Sequence, residues 1–153
     1  MSLKIEILAV HRLKKGPLFD LIDGYAKQIK CGFKVHEIES KYRDAKTVFE
    51  DENRRLGDLI DPKAFVVVLD ERGNGLKSLD FAKTLGNLQD NGEHHIQFVI
   101  GGADGLSAAM RGRANLLLSF GQQTWPHMLA RVMLVEQIYR AQQILAGHPY
   151  HRE

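Results

Sequence analysis

Three loops of this sequence combine glycine with polar side chains, as loops that bind small ligands do. Each directly follows a short apolar run: Asp-Glu-Arg-Gly-Asn-Gly at 70–75, Gly-Gly-Ala-Asp-Gly at 101–105 and Gly-Gln-Gln-Thr-Trp-Pro-His at 121–127. Glycine lets the backbone approach a ligand closely, and a loop that leads into a helix presents N–H groups to it. These three loops are therefore the candidate binding site for a small molecule.

The loop at 101–105 does not match the two common nucleotide-binding patterns. Dinucleotide sites need the spacing G-x-G-x-x-G, and phosphate-binding loops end in Gly-Lys-Ser or Gly-Lys-Thr, and neither occurs here. Taken alone, this loop fits a tight turn between a strand and a helix as well as it fits a ligand cradle.

The C-terminal residues form a second cluster of reactive side chains. His148, Tyr150, His151 and Arg152 bring two imidazoles, a phenol and a guanidinium together at the chain end. A guanidinium binds phosphate, and an imidazole or phenol can position a reacting base, so we expect a tail that contacts substrate. An inert terminus is the alternative. Because no further Cys or His follows at ligand spacing, we expect no metal site.

Other polar residues have simpler interpretations. Cys31, the single cysteine, is expected to be a buried or neutral thiol, since no cysteine motif surrounds it. His94 and His95 lie in a polar turn, and we expect a solvated pair. Several residues could touch RNA, but exposed lysines are common and the simple surface interpretation is stronger for Lys14, Lys15, Lys41, Tyr42 and Arg43.

The overall composition is that of one folded domain spanning residues 1–153. Hydrophobic residues make up 44% of the chain, the longest apolar run is Ala64–Leu69 and no secretory signal is visible, so we expect a cytosolic protein. The net charge of +2 is too small to indicate a nucleic-acid-binding protein. Any RNA-binding face must be assembled by folding or by oligomerisation. Met1, Ser2 and Leu3 could include residues left by cloning and receive no functional weight.

Hydrophobic periodicity predicts strands and helices that alternate along the whole chain. Apolar runs predict strands at 3–10, 33–39, 64–69, 96–100 and 115–120. Helical spacing predicts helices over 17–30, from Asp44 to 60, from Ser78 to 88, from Ser107 to 113 and over 127–146, with the three named residues as N-caps. This alternation indicates an α/β fold with a mostly parallel sheet and helices on both faces.

Two of these helices carry further predictions. In the helix that starts at Asp44, the charged residues between the apolar positions are expected to form a solvated face. The last helix, 127–146, is apolar on more than one side and needs a second covering surface, so we expect a homodimer.

Five motifs together resemble one family over the whole chain. They are Val99 to Leu106, Thr124 to His127, Arg131-Val132, Glu136 to Ala141 and the closing His148-Pro149-Tyr150-His151-Arg152. They closely resemble the bacterial ribosomal RNA large subunit methyltransferase H family, a group of SPOUT-class enzymes. The resemblance implies a SPOUT methyltransferase fold whose C-terminal part is threaded into a deep trefoil knot, and it implies a homodimer.

The resemblance also implies a methyl donor and a reaction. S-adenosylmethionine is expected in the knot, against Leu69, Asp70, Gly102, Gly121, Gln122, Gln123, Thr124, Trp125 and Pro126. The implied reaction is methylation of N3 of a pseudouridine in a stem-loop of 23S (large-subunit) rRNA on the assembled 70S ribosome. Tyr150, His151 and Arg152 are the implied catalytic residues, and the proton acceptor is not assigned. The alternatives are a SPOUT methyltransferase acting on tRNA and a ribosome-associated protein that binds RNA without catalysis.

Overall fold

The computed structural model describes residues 3–153, so Met1 and Ser2 lie outside the described residues. Strands and helices alternate along this range, as predicted. The strands are β1 (Lys4–Val10), β2 (Gly32–Ile38), β3 (Phe65–Gly75), β4 (His95–Ile100) and β5 (Leu116–Ser119). The helices are α1 (Pro17–Ala26), α2 (Ala45–Leu59), α3 (Ser78–Asp90), α4 (Ala108–Gly112) and α5 (His127–Leu145).

The strands of the described range form one parallel sheet in the order β2-β1-β4-β3-β5. Parallel strands need crossover connections, and the helices that supply them cover both faces. The central strands are therefore buried on both sides, and every residue of β4 after His95 is buried. The parallel arrangement also brings the carboxyl ends of all strands to one edge, where ligands bind in such folds.

Each face of the sheet has its own hydrophobic core. Helices α1, α3 and α5 cover one face, where Ile22, Phe81 and Leu134 pack with the odd-numbered residues of β1. Helices α2 and α4 cover the other face, where Leu56 and Met110 pack with the even-numbered residues at the end of β1. Burial of one such apolar side chain contributes roughly 1.5–3 kcal/mol, so these contacts hold the helices on the sheet.

The predicted N-caps are confirmed for two helices and wrong for a third. Asp44 and Ser107 each accept a hydrogen bond from a backbone N–H three residues further on. Helix α3 instead has Lys77 at its N-cap position, with no side-chain cap. The Ser78 hydroxyl donates to Oε1 of Gln137 at 2.7 Å, so it links α3 to α5.

The solvated face predicted for α2 is wrong at two positions. Asp51 and Glu52 are only 8% and 5% exposed. The hydrophobic periodicity correctly predicted that the apolar residues of α2 face the core. It could not predict that Asp51 and Glu52 are buried as well.

The predicted solvated histidine pair is wrong for His95, which is half-buried and hydrogen-bonded to Glu6. Glu6 is buried on β1 and is also bonded to Nε2 of His36 and to the side-chain amide of Gln97. Burial alone would raise the pKa of Glu6, but hydrogen bonds from His95, His36 and Gln97 lower it to about 2. Neighbouring strands thus assemble a polar cluster whose members are far apart in the sequence.

Residues 70–73 leave the ladder between β3 and β5 and cross over β5. Leu69 and Asn74 both pair with Leu118, so the residues between them bulge out of the sheet. A Cβ atom on Gly73 would lie only 2.6 Å from the carbonyl carbon and oxygen of Leu117. Only glycine fits this close approach to the backbone of β5. The trefoil knot stays a prediction.

Helix boundaries at the ends of the chain differ little from the prediction. Helix α1 ends at Ala26 rather than at residue 30, because the N–H of Ile29 bonds to the carbonyl of Ala26 in the turn that leads to β2. Helix α5 buries Leu134 and Ile138 but leaves Leu129 exposed.

Within residues 3–153, no helix is long and apolar enough to cross a membrane.

Candidate functional site

A cleft of about 430 Å³ opens at the carboxyl edge of the sheet, between the bulge of β3 and the loops that follow β4 and β5. This volume is typical of small-molecule sites. All three loops singled out in the sequence contribute to its wall. The prediction of a loop after residue 69 is wrong in part, because β3 continues to Gly75 and pairs with β5 again at Asn74 and Gly75. Of the residues predicted to contact the methyl donor, the cleft is lined by Leu69, Asp70, Gly102, Gly121, Gln123, Thr124 and Trp125. Gln122 and Pro126 do not line it.

Asp70 is held by two arginines at one wall of the cleft. Its carboxylate accepts a hydrogen bond from the N–H of Arg72 at 2.9 Å and lies 3.2 Å from the guanidinium of the same residue. Arg111 of α4 approaches the other carboxylate oxygen at 4.0 Å and donates to the carbonyl of Leu106 at 2.6 Å. Arg111 therefore links the bulge of β3 to the glycine loop and holds two walls of the cleft together.

The glycine loop forms the tight turn that one interpretation predicted, and it also lines the cleft, so its role in holding a ligand stays a prediction. The N–H of Gly105 donates to the carbonyl of Gly102 at 3.0 Å, and Gly105 has a φ of 74°, in the left-handed region. A Cβ atom on Gly101 would lie 2.8 Å from the carbonyl oxygen of Gly105. Larger residues at these positions would open the turn.

A buried carboxylate from α2 supports the glycine loop from below. A Cβ atom on Gly102 would lie 3.1 and 3.2 Å from the two carboxylate oxygens of Glu52. Burial raises the pKa of Glu52, and the negative charge of Asp104 adds to this, whereas His11 opposes it. The side-chain oxygen of the adjacent Asn53 accepts a hydrogen bond from the backbone N–H of Ser107, the N-cap of α4, at 2.9 Å. Helix α2 therefore packs against the glycine loop and the start of α4, although none of its residues lines the cleft.

His127, the first residue of α5, lines the cleft. Its ring lies 5.0 Å from the ring of His11, which follows β1. Burial lowers the pKa of His127, and electrostatic interaction with His11 and Arg131 lowers it further. His127 is therefore a neutral imidazole at neutral pH and can accept a hydrogen bond from a ligand.

Arg131 fixes the turn that carries His11. Its side chain is 2% exposed, and its Nη2 donates to the carbonyls of Val10 and His11 at 3.1 and 2.8 Å. Its Nη1 pairs with Glu37 of β2. His11 adopts a φ of 75°, which is uncommon for a residue with a side chain. Strain of this kind is retained mostly at functional positions.

Neither His11 nor Glu52 was predicted from the sequence as a site residue, and Arg131 appeared there only within a family motif, without a role. A buried arginine and a buried glutamate give no periodic signal, because periodicity places apolar residues inward and charged residues outward. His11 could have been found by position, since it follows β1 and the carboxyl ends of all parallel strands meet at one edge.

The C-terminal tail lies apart from this cleft. The ring of Tyr150 lies 4.9 Å from that of Tyr139, and the guanidinium of Arg140 stands 4.9 Å above it. Arg140 also donates to Nδ1 of His151 at 3.1 Å. Burial raises the pKa of Tyr150 to about 12, so the phenol stays protonated at neutral pH. Arg152 is exposed. Within one chain, the predicted catalytic residues Tyr150, His151 and Arg152 therefore do not line the cleft.

The tail borders a second, mostly apolar groove of about 470 Å³ between α1, α3 and α5. Tyr25, a hydrogen-bond partner of Tyr150, lies in its wall. Leu21 at the same groove is 49% exposed. Phe120 and Gly121 line both the groove and the cleft, so the two meet at the end of β5.

Solved structures with this fold include methyltransferases. A probable methyltransferase from Bordetella pertussis superposes with a TM-score of 0.61 and 12% identity, over 92% of this chain and 96% of that one. The SpoU methyltransferase AviRb from Streptomyces viridochromogenes, solved in complex with AdoMet, gives a TM-score of 0.50 and 15% identity, over 92% of this chain and 58% of that one. The chain therefore has the α/β fold that these methyltransferases use, with a ligand-sized cleft at the carboxyl edge of its sheet.

Sequence comparison narrows this class to one family. The family model described as "Predicted SPOUT methyltransferase" matches residues 3–151. The ribosomal RNA large subunit methyltransferase H of Bradyrhizobium diazoefficiens is 49% identical over 98% of this chain and 99% of its own length. The chain belongs to the SPOUT methyltransferase family, in the branch of ribosomal RNA large subunit methyltransferase H. The resemblance drawn from the motifs is confirmed.

Proposed function

We propose that this protein transfers a methyl group from S-adenosylmethionine to N3 of a pseudouridine in a stem-loop of 23S rRNA, on the assembled 70S ribosome in the cytoplasm. The observation that carries the proposal is the 49% identity, over nearly the full length, to a relative named as a methyltransferase of large-subunit rRNA. The cleft at the carboxyl edge of the sheet supports it, because it offers a site for the methyl donor.

The residues of the cleft suit S-adenosylmethionine. Leu69, Ile100 and Leu106 provide apolar surface for the adenine ring. The carboxylate of Asp70, held in place by arginines, can accept hydrogen bonds from ribose hydroxyls. The glycine loop lets backbone groups contact the ligand. Gln122 and Pro126 would contribute by shaping the loop around the ligand, since they lie outside the cleft wall.

When bound, S-adenosylmethionine supplies a methyl group activated by its sulfonium centre. The protein has to bind the RNA base, align N3 with that group and stabilise the base as its imide proton leaves. Arg152 can stabilise the resulting negative charge. Tyr150, with a pKa of about 12, can donate a hydrogen bond to a developing anion but cannot act as a base at neutral pH.

We infer a homodimer in which the tail of one subunit serves the cleft of the other. In one chain, Tyr150 and His151 are held against α5 and do not line the cleft. Nε2 of His151 is buried and has no hydrogen-bond partner within residues 3–153. The apolar groove beside the tail, with Leu21 exposed, offers surface for a second copy to cover.

The proposed reaction is tested by transfer of labelled methyl groups to ribosomes that lack the modification. We expect the wild type to label 23S rRNA, and we expect Arg152→Ala to lose this activity while binding S-adenosylmethionine normally by calorimetry. Labelling of tRNA instead of ribosomes would overturn the proposed substrate. Donor binding without any transfer would favour a protein that binds RNA without catalysis.

The shared active site is tested by mixing two inactive variants, Arg152→Ala and Gly102→Val, after each has been shown to fold by thermal unfolding. If the tail acts across the dimer, mixed dimers contain one intact cleft facing one intact tail, and activity returns. If the tail acts on its own subunit, no combination restores a complete site and the mixture stays inactive.

A further inference from the structure

Two loops beside the cleft emerge side by side from the carboxyl edge of the sheet. They are residues 11–16, after β1, and residues 39–44, after β2; together with Ala45 and Lys46 at the start of α2 we call them the basic rim. Strands β1 and β2 are parallel neighbours, and the N–H of His11 donates to the carbonyl of Ile38 at 2.7 Å. This pairing joins the two loops into one continuous surface.

The basic rim carries a larger net positive charge than the whole chain. Its cations are all exposed: Arg12, Lys14, Lys15, Lys41, Arg43 and Lys46. Its acidic residues are Glu39 and Asp44, and the Asp44 carboxylate already caps α2. The whole chain has 21 basic and 19 acidic residues, so the part outside the rim keeps 15 basic and 17 acidic residues and is net negative. Within residues 3–153, none of the six cations forms an ion pair in the structure.

Tyr42 places an aromatic ring in the middle of this charge. It is 57% exposed and lies between Lys41 and Arg43 in the sequence. Its N–H bonds to the Ser40 hydroxyl at 3.3 Å, which holds the backbone of the loop. Proteins that bind single-stranded RNA stack unpaired bases on exposed aromatic rings and hold the phosphates with nearby cations.

We propose that the basic rim binds the single-stranded loop of the RNA substrate, with Tyr42 stacked on an unpaired base and the rim cations on its phosphates. The proposal rests on the proposed function, which supplies an RNA as substrate. His11 connects the rim to the cleft, since it belongs to the rim and its ring lies 5.0 Å from that of His127 in the cleft wall. RNA held on the rim therefore lies beside the site of the methyl donor.

The test is a set of fluorescence anisotropy titrations over a series of KCl concentrations. The probes are a short labelled RNA hairpin with an unpaired loop and a fully paired duplex with the same stem. The variants are Lys14→Ala/Lys15→Ala, Tyr42→Ala and Tyr42→Phe. The matched control is Lys30→Ala/Lys63→Ala, which removes two exposed lysines that precede β2 and β3 at the opposite, amino edge of the sheet.

We expect the double lysine variant to bind the hairpin more weakly and to reduce the slope of log affinity against log salt by roughly 0.7–0.9 for each phosphate that the protein no longer neutralises. Tyr42→Ala should weaken hairpin binding on the order of tenfold and leave duplex binding nearly unchanged, because only unpaired bases can stack on the ring. Tyr42→Phe should retain most of the affinity. The control should match the wild type in both affinity and salt dependence.

Wild-type affinity and salt slope in the rim variants would overturn the proposal. So would a wild type that binds neither RNA probe but binds anionic phospholipid vesicles through the rim, which would make the partner a membrane surface. The proposed function fails separately: a wild type that methylates no ribosomal RNA refutes it, even if the hairpin binds through the rim.

Discussion

Gly102→Ala tests whether the glycine loop is packed as tightly against β1 and α2 as the structure indicates. The new Cβ atom would lie 3.0 Å from Cγ1 of Val10 and 3.1 and 3.2 Å from the carboxylate oxygens of Glu52. These separations are a few tenths of an ångström shorter than ordinary contacts. Either the glycine loop moves into the cleft or Glu52 shifts and loses its fit beneath the loop.

The size of the effect follows from this geometry. Overpacking of a well-packed site costs roughly 1–3 kcal/mol. Because the contacts are only slightly too short and one neighbour is the end of a flexible side chain, we expect about 1–2 kcal/mol, mainly in binding of S-adenosylmethionine. That free energy corresponds to about 5- to 30-fold weaker binding.

Calorimetric titration measures the loss of affinity for S-adenosylmethionine, and thermal unfolding measures any loss of stability. The matched control is Gly24→Ala on α1, where a Cβ atom meets nothing within 4 Å. It should leave donor binding unchanged and stabilise the helix by about 0.5–1 kcal/mol. Removing the carboxylate with Glu52→Ala should relieve the Gly102→Ala defect, giving a coupling energy in a double-mutant cycle. Wild-type donor affinity in Gly102→Ala would refute the reasoning.

Three further predictions concern the fold. In Gly73→Ala the added Cβ atom would lie 2.6 Å from the backbone of Leu117, and because backbone cannot move aside as a side chain can, we expect a loss of about 3 kcal/mol in urea unfolding; unchanged stability would contradict the close crossing over β5. The folded pKa of Glu6 is about 2 against an ordinary 4.5, so its charge stabilises the fold by about 3 kcal/mol above pH 4.5, and this contribution disappears as the pH falls towards 2. Urea unfolding of the wild type and Glu6→Gln should therefore show a stability gap that closes on acidification, and a gap independent of pH would argue against the hydrogen-bonded carboxylate. Arg131→Met removes the hydrogen bonds to the carbonyls of Val10 and His11 and the ion pair with Glu37, whose partly exposed carboxylate keeps the N–H of Leu13 as a partner, so it should lower stability by roughly 1–3 kcal/mol in thermal unfolding; a variant as stable as the wild type would show that Arg131 does not hold the turn after β1.

The strand and helix order was predictable because each element carries its own periodic signal. The apolar run at 96–100 predicts a strand that is buried on both faces. Strand β4 is such a strand and lies at the centre of the sheet. The caps at Asp44 and Ser107 were predictable for the same local reason, since a short polar side chain meets a backbone N–H three residues on. Ser78 was not predictable in this way, because its hydroxyl donates to Gln137 on α5, and a contact between distant helices leaves no local signal in the sequence.

The cleft was partly predictable as well. Its three loops could be located from glycine content and from the rule that ligands collect at the carboxyl ends of parallel strands. The burial of Glu52 and of Arg131, which the sequence offered only as part of a family motif, could not be predicted. A charged residue on a helix normally faces water, and only its packed neighbours determine otherwise.

The sequence by itself determined the α/β class, the alternation of elements, the three candidate loops and, through its motifs, the family. Only the tertiary structure decided which of these residues meet: that Gln122 and Pro126 stand outside the cleft wall, that the tail of one chain rests on α5 away from it, and that scattered cations after β1 and β2 form one surface. The physical reason is that periodicity and turn chemistry act between residues near in sequence, whereas contacts across a parallel sheet depend on strand order, which no local pattern contains.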